Sequence, residues 1–83
     1  MPTLYILKSQ STGKFYIGST QDLERRISEH WRGHSPFTRG RGPWALVYTE
    51  QFPTLVEARA REQQIKSWKS HRTVQELIDK AVG

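Results

Sequence analysis

Eighty-three residues carry 13 Lys and Arg against 8 Asp and Glu, a formal net charge of +5 with a pI near 10.0. That length is read as one domain spanning residues 1–83, burying only about 60% of its unfolded surface, so its core has to be compact. With no cysteine, disulfides and thiolate metal sites are excluded, and no apolar run approaches the length of a membrane span.

Met1 to Tyr5 shows no basic segment leading into an apolar stretch, so no signal peptide is expected and the cytoplasm is the expected location. The positive charge favours polyanionic partners, nucleic acid before an anionic membrane surface. A merely soluble basic protein is the plain alternative.

In chain order, Thr3-Leu4-Tyr5-Ile6-Leu7 is a β-rich run, apolar on both faces as a central strand would be. Ser9 to Lys14 is a polar turn, and Phe15-Tyr16-Ile17-Gly18 is a second strand, so the two form a predicted hairpin. Tyr5 and Leu7 share one face of the first strand; Tyr16 and Gly18 share a face of the second. A helix is predicted to start near Thr20 to Asp22, either of which can cap it, with Leu23, Ile27 and Trp31 as its apolar stripe. Gly33 to Pro43 is a predicted loop rich in Gly, Pro and Arg. Trp44 to Tyr48 reads as a third strand, extendable to Phe52.

Thr54-Leu55-Val56-Glu57 is a capping-box sequence opening a helix that runs to about Trp68. A last helix, capped by Ser70 or Thr73, is apolar at Val74, Leu77, Ile78, Ala81 and Val82. The order β-β-α-β-α-α predicts an α/β domain, a small three-stranded sheet flanked by helices.

Glu62 falls on the stripe of Leu55, Ala58, Ile65 and Trp68, where a carboxylate is costly unless paired or bound to a metal. The plainer reading is an edge glutamate paired with Arg59 or Lys66. Tyr5 and Tyr16 could project from one face of the hairpin, although tyrosine pairs on sheets are most often packing. Gly18 removes a side chain where a backbone or ligand could approach. Arg26 and His30, four apart on one helical face, could grip a phosphate or be solvated surface.

Taken together, the spacing resembles the GIY-YIG nuclease superfamily. That superfamily includes the catalytic domain of an excision-repair nuclease, some homing and restriction endonucleases, and many small stand-alone bacterial proteins. Tyr16-Ile17-Gly18 is the second signature triplet intact, while Thr3-Leu4-Tyr5 keeps only the tyrosine of the first. Tyr5 precedes Tyr16 by eleven residues, and Arg26 follows Tyr16 by ten. Arg26 rather than Arg25 matches the catalytic arginine because it precedes an apolar residue. His30 matches a histidine found in many members, and Glu62, within Glu57 to Lys66, matches the metal-binding glutamate. Gly18-Ser19-Thr20, Leu46-Val47-Tyr48 and Lys66-Ser67-Trp68-Lys69 are similar to the stand-alone bacterial subgroup.

The resemblance implies the GIY-YIG fold and a metal-dependent DNA endonuclease of the repair or recombination kind. One Mg²⁺, replaceable by Mn²⁺, would be anchored by Glu62, with Arg26 donating to the phosphate as charge builds. A tyrosine would take the water's proton, for which nearby cations would have to depress its pKa of about 10; His30 is the rival base. Arg25, Arg39, Arg41, Lys66 and Lys69 are the expected backbone-contacting cations. No small-molecule cofactor or membrane is expected. With no residues assigned to a recognition domain, structure-directed or low sequence specificity is expected, on single-stranded or branched DNA among other substrates. A non-catalytic nucleic-acid-binding module, and a protein-interaction domain using the last helix, are the competing classes.

Overall fold

The computed structural model describes residues 1–31 and 43–82, the side chains of Trp31 and Val82 excepted. Its elements are β1 (Thr3–Ser9), β2 (Phe15–Thr20), α1 (Leu23–Trp31), β3 (Trp44–Gln51), α2 (Leu55–Ser67) and α3 (His71–Val82). This is the predicted β-β-α-β-α-α order. The strands form one antiparallel sheet in the order β2-β1-β3, so the run that is apolar on both faces is the central strand.

The β1–β2 turn is closed by Ser9, whose N–H donates to the Lys14 carbonyl at 2.8 Å and whose Oγ accepts from the Thr12 N–H at 3.1 Å. Gly13 lies at φ +76°, a backbone state that favours glycine. Because side chains alternate along a strand, β1 serves two cores. Leu4 and Ile6 pack with Ile65, Val74 and Ile78 of α2 and α3. Tyr5 and Leu7 pack on the other face with Trp44, Tyr16 and the Leu23 and Ile27 side chains of α1. Covering both faces of the middle strand with helices removes Leu4 through Leu7 from water and supplies the main driving force for this arrangement.

The helix ends refine the predictions. Asp22 Oδ1 accepts the Arg25 N–H at 3.2 Å, while Thr20 Oγ1 accepts the N–H of Asp22 itself. Asp22 is therefore the cap of α1, and Thr20 steadies it. Thr54 is extended and its Oγ1 accepts the Glu57 N–H at 3.2 Å, one half of the predicted capping box. Ser70, not Thr73, caps α3, accepting the Thr73 N–H at 3.2 Å. Of the predicted stripe on α3, Val74 and Ile78 are buried and Leu77 is half-buried, whereas Ala81 is exposed. Residues 33–42 of the predicted loop, with Arg39 and Arg41, and the Trp31 and Val82 side chains lie outside the described residues. Among those described, no helix is long and apolar enough to cross a membrane.

Candidate active site

Tyr5 is the centre of the site. It lies on β1 directly opposite Gly18 on β2, and its ring leans across that glycine. A Cβ added at Gly18 would stand 2.6 Å from the Tyr5 hydroxyl oxygen and 2.7 Å from Cζ. The space left by the glycine is thus filled by the neighbouring phenol, not by a backbone or a ligand as the sequence suggested.

Two residues from one face of α1 meet the same phenol. Nε2 of His30 is 3.1 Å from the Tyr5 hydroxyl, and Arg26 donates from Nε to it at 3.4 Å. The spacing of four that puts Arg26 and His30 side by side is what lets both reach one oxygen. Tyr16 completes the cluster, its ring 6.2 Å from Tyr5 and edge-on to His30 at 4.9 Å. Tyr5 and His30 are almost inaccessible, at 1% and 3% exposure, whereas Tyr16 and Arg26 are half-buried.

Protonation follows from this burial. The Tyr5 pKa is pushed up to about 12, chiefly because burial penalises the phenolate. The Arg26 hydrogen bond opposes that rise, while the Tyr16 and Glu62 charges add to it. The depression expected if cations dominated does not occur in the free protein, because desolvation outweighs the single guanidinium. His30 is held below its ordinary 6.5, first by burial and then by the Arg26 charge. Both groups are therefore neutral at pH 7. With Arg26 donating to the Tyr5 oxygen, the consistent assignment has Tyr5 donating in turn to an unprotonated His30 Nε2.

Glu62 approaches from the other side of β2. Its Oε1 accepts from Ser19 Oγ at 2.5 Å and its Oε2 pairs with Lys66 Nζ at 2.5 Å. The carboxylate is 15% exposed. In the sequence alone it had no evident structural benefit; the structure supplies two partners, one of them the predicted Lys66. Arg59, the other partner considered, is exposed.

Among the described residues, no group of three or more His, Asp or Glu side chains is gathered to hold a metal. A lone, partly exposed carboxylate fits a hard, hydrated divalent ion shared with substrate oxygens, and it does not fit a tight structural metal. The Lys66 ammonium sits on Oε2, so an ion held there would share the carboxylate with it or displace it.

Of the remaining predicted cations, Arg25 is exposed and pairs with Glu29 at 3.3 Å, away from the phenol. Lys66 pairs with Glu62, and Lys66 and Lys69 both line a groove beside β2. Two contributors escaped the sequence reading. Ser19 lies two residues after Ile17, so strand alternation already puts it on the α2 face. Glu29 lies three and four residues from Arg26 and Arg25, the spacing of a helical ion pair, and binds both.

Comparison with known proteins places this chain in a family. The GIY-YIG catalytic domain matches residues 1–75. A UPF0213 protein of Clostridium perfringens is 40% identical over 83 residues, 99% of this chain and 88% of the relative. A UPF0213 protein of Halobacterium salinarum is 42% identical over 67 residues, 80% of this chain and 86% of the relative. The solution NMR structure of a UPF0213 protein from Bacillus halodurans is similar with a TM-score of 0.60 at 40% identity, covering 95% of this chain and 84% of that one.

Proposed function

This chain belongs to the GIY-YIG catalytic domain family, and we propose that it is a DNA endonuclease hydrolysing phosphodiester bonds with a divalent ion, Mg²⁺ or in its place Mn²⁺. Residues 1–83 act as one domain that selects DNA by structure more than by sequence. The observation that carries this reading is the meeting of Arg26 and His30 on the Tyr5 oxygen, beside the strand whose far side holds Glu62.

Glu62 would hold the ion, which supplies Lewis-acid stabilisation of the phosphate and the leaving oxygen. Arg26, half-exposed and fixed by Tyr5 and Glu29, donates to the non-bridging oxygens as their charge grows. Tyr16, the more accessible phenol, orients the attacking water. Tyr5 passes its own proton to His30 Nε2 as it receives one from the Tyr16 side, so it relays without lingering as a phenolate. His30, neutral at pH 7, is where the proton comes to rest. Arg25, Arg39, Arg41, Lys66 and Lys69 contact the DNA backbone.

A non-catalytic nucleic-acid-binding module is favoured by one observation, the Lys66 ammonium neutralising Glu62. One panel separates the two readings: purified protein with Mg²⁺, Mn²⁺ or excess chelator, against duplex, single-stranded and branched DNA and against RNA. Cleavage of DNA that chelation abolishes supports the nuclease. Binding without cleavage of any substrate supports the module.

A further inference from the structure

A groove of about 340 Å³ opens between β2 and the start of α3, on the opposite side of the sheet from Tyr5. Ile17, Ile65 and Val74 form its apolar floor, and Lys14, Lys66 and Lys69 line it with no acidic side chain among the described residues of its walls. Its aromatic wall is already assembled. Phe15 and His71 stack with centroids 4.4 Å apart and planes at 22°, and a hydrogen bond of 2.9 Å between His71 Nε2 and the Gly13 carbonyl fixes the imidazole.

Lys69 adds an independent sign. It takes φ +49° in the bend between α2 and α3, a left-handed state that is disfavoured for a residue with a Cβ and that glycine would adopt freely. From that bend the Lys69 side chain lines the groove.

We propose that this groove is a nucleotide subsite, taking one unstacked base of a single-stranded DNA segment against the Phe15–His71 pair and the flanking phosphates on Lys14, Lys66 and Lys69. Its volume falls within the roughly 300–1,000 Å³ of small-molecule sites, and an aromatic platform with a cationic rim is the arrangement that holds single strands without reading sequence. The first turn of α3, where Ser70 and His71 line the groove, adds a favourable dipole for phosphate. Lys66 links the groove to the carboxylate through its bond to Glu62. Groove and carboxylate thus share Lys66. The inference names the substrate form for the nuclease reading and rests on it.

The test measures binding to a short oligodeoxyadenylate, and to an abasic strand of the same length, by fluorescence anisotropy in chelator. His71→Ala is expected to weaken binding of the base-bearing strand about five-fold or more, the scale of one lost base–aromatic stack. The abasic strand should be unaffected. His71→Phe should restore the loss.

Lys69→Gly should weaken both strands and reduce the slope of log affinity against log salt by about 0.7. On adding the oligodeoxyadenylate, the Phe15 and His71 ring protons should shift in NMR spectra. Base-bearing and abasic strands that respond alike to His71→Ala, or rings that do not shift, would overturn the subsite even if the protein cleaves DNA. Binding in the groove by a protein that cleaves nothing would leave the subsite standing and remove the nuclease reading.

Discussion

Adding one methyl group at Gly18 tests whether the phenol is where the site needs it. Carbon atoms in contact prefer about 3.5–4.0 Å, yet the new Cβ would stand 2.7 Å from Tyr5 Cζ and 3.1 Å from Cε1. The ring would have to retreat by about 1 Å. It cannot swing into water, because Tyr5 is buried among Leu7, Trp44, Leu23 and Ile27. Overpacking of this kind costs about 1–3 kcal/mol, and the bonds to His30 and Arg26 would each forfeit about 1 kcal/mol more. Gly18→Ala is therefore expected to lose about 3–5 kcal/mol, and since each kcal/mol moves Tm by about 4–8 °C in a domain this small, Tm should fall by roughly 12 °C or more. Turnover measured where the variant is still folded should drop about 100-fold, the scale of a 1 Å misplacement. Circular-dichroism melting and single-turnover cleavage read the two effects separately. In a Tyr5→Ala background the same methyl should cost almost nothing, since its obstacle is gone. Wild-type melting and turnover in Gly18→Ala would refute the reasoning.

Glu62→Gln should abolish cleavage while changing Tm little, because its pair with the half-exposed Lys66 is worth below about 1 kcal/mol; metal-free DNA affinity should hold or rise as Lys66 is released. Tyr5 binds its proton more tightly folded than unfolded, so its stabilisation is complete below pH 10 and is lost as pH rises through about 12. That amounts to about 2–3 kcal/mol. Urea titrations at rising pH should show this fall in the wild type and a shallower one in Tyr5→Phe. His30 has the opposite sign: its lowered pKa gives stability present above 6.5 and lost as pH falls below it, so its ring resonances should titrate below the ordinary histidine range. Arg26→Ala should lower turnover far more than DNA affinity, and Arg25→Ala should do the reverse; equal turnover in both variants would remove the assigned role of Arg26.

Much of the fold was legible because each element states its own period. Leu4 through Leu7 have no polar alternation, which only a strand covered on both faces tolerates, and β1 is that strand. Thr54 and Glu57 marked the start of α2 three residues apart, while Ser70 and Thr73 were equivalent as caps until the chain direction through Lys69 decided for Ser70. The site was legible as residue types at intervals, but not as electrostatics. A tyrosine acting as base would need nearby cations to depress its pKa; at Tyr5 burial, which no local pattern reveals, outweighs Arg26 and raises it. One partner of Glu62, Lys66, was legible four residues away, whereas the other, Ser19, comes from a strand 43 residues earlier. A tertiary hydrogen bond between distant elements leaves no local trace.

The division of the site between two faces gives the glycine its meaning. Tyr5, Tyr16, Arg26 and His30 belong with α1 on one side of the sheet; Ser19, Glu62 and Lys66 belong with α2 on the other. Side chains on opposite faces of a strand cannot ordinarily reach a common atom. β2, however, is an edge strand, so a phosphate beside it can be approached from both faces at once. At Gly18 no side chain of β2 intervenes, and the Tyr5 ring leans into the gap, near enough for the Glu62 charge to raise its pKa. A larger residue there would do more than crowd a ring: it would separate the arginine side of the site from the carboxylate side.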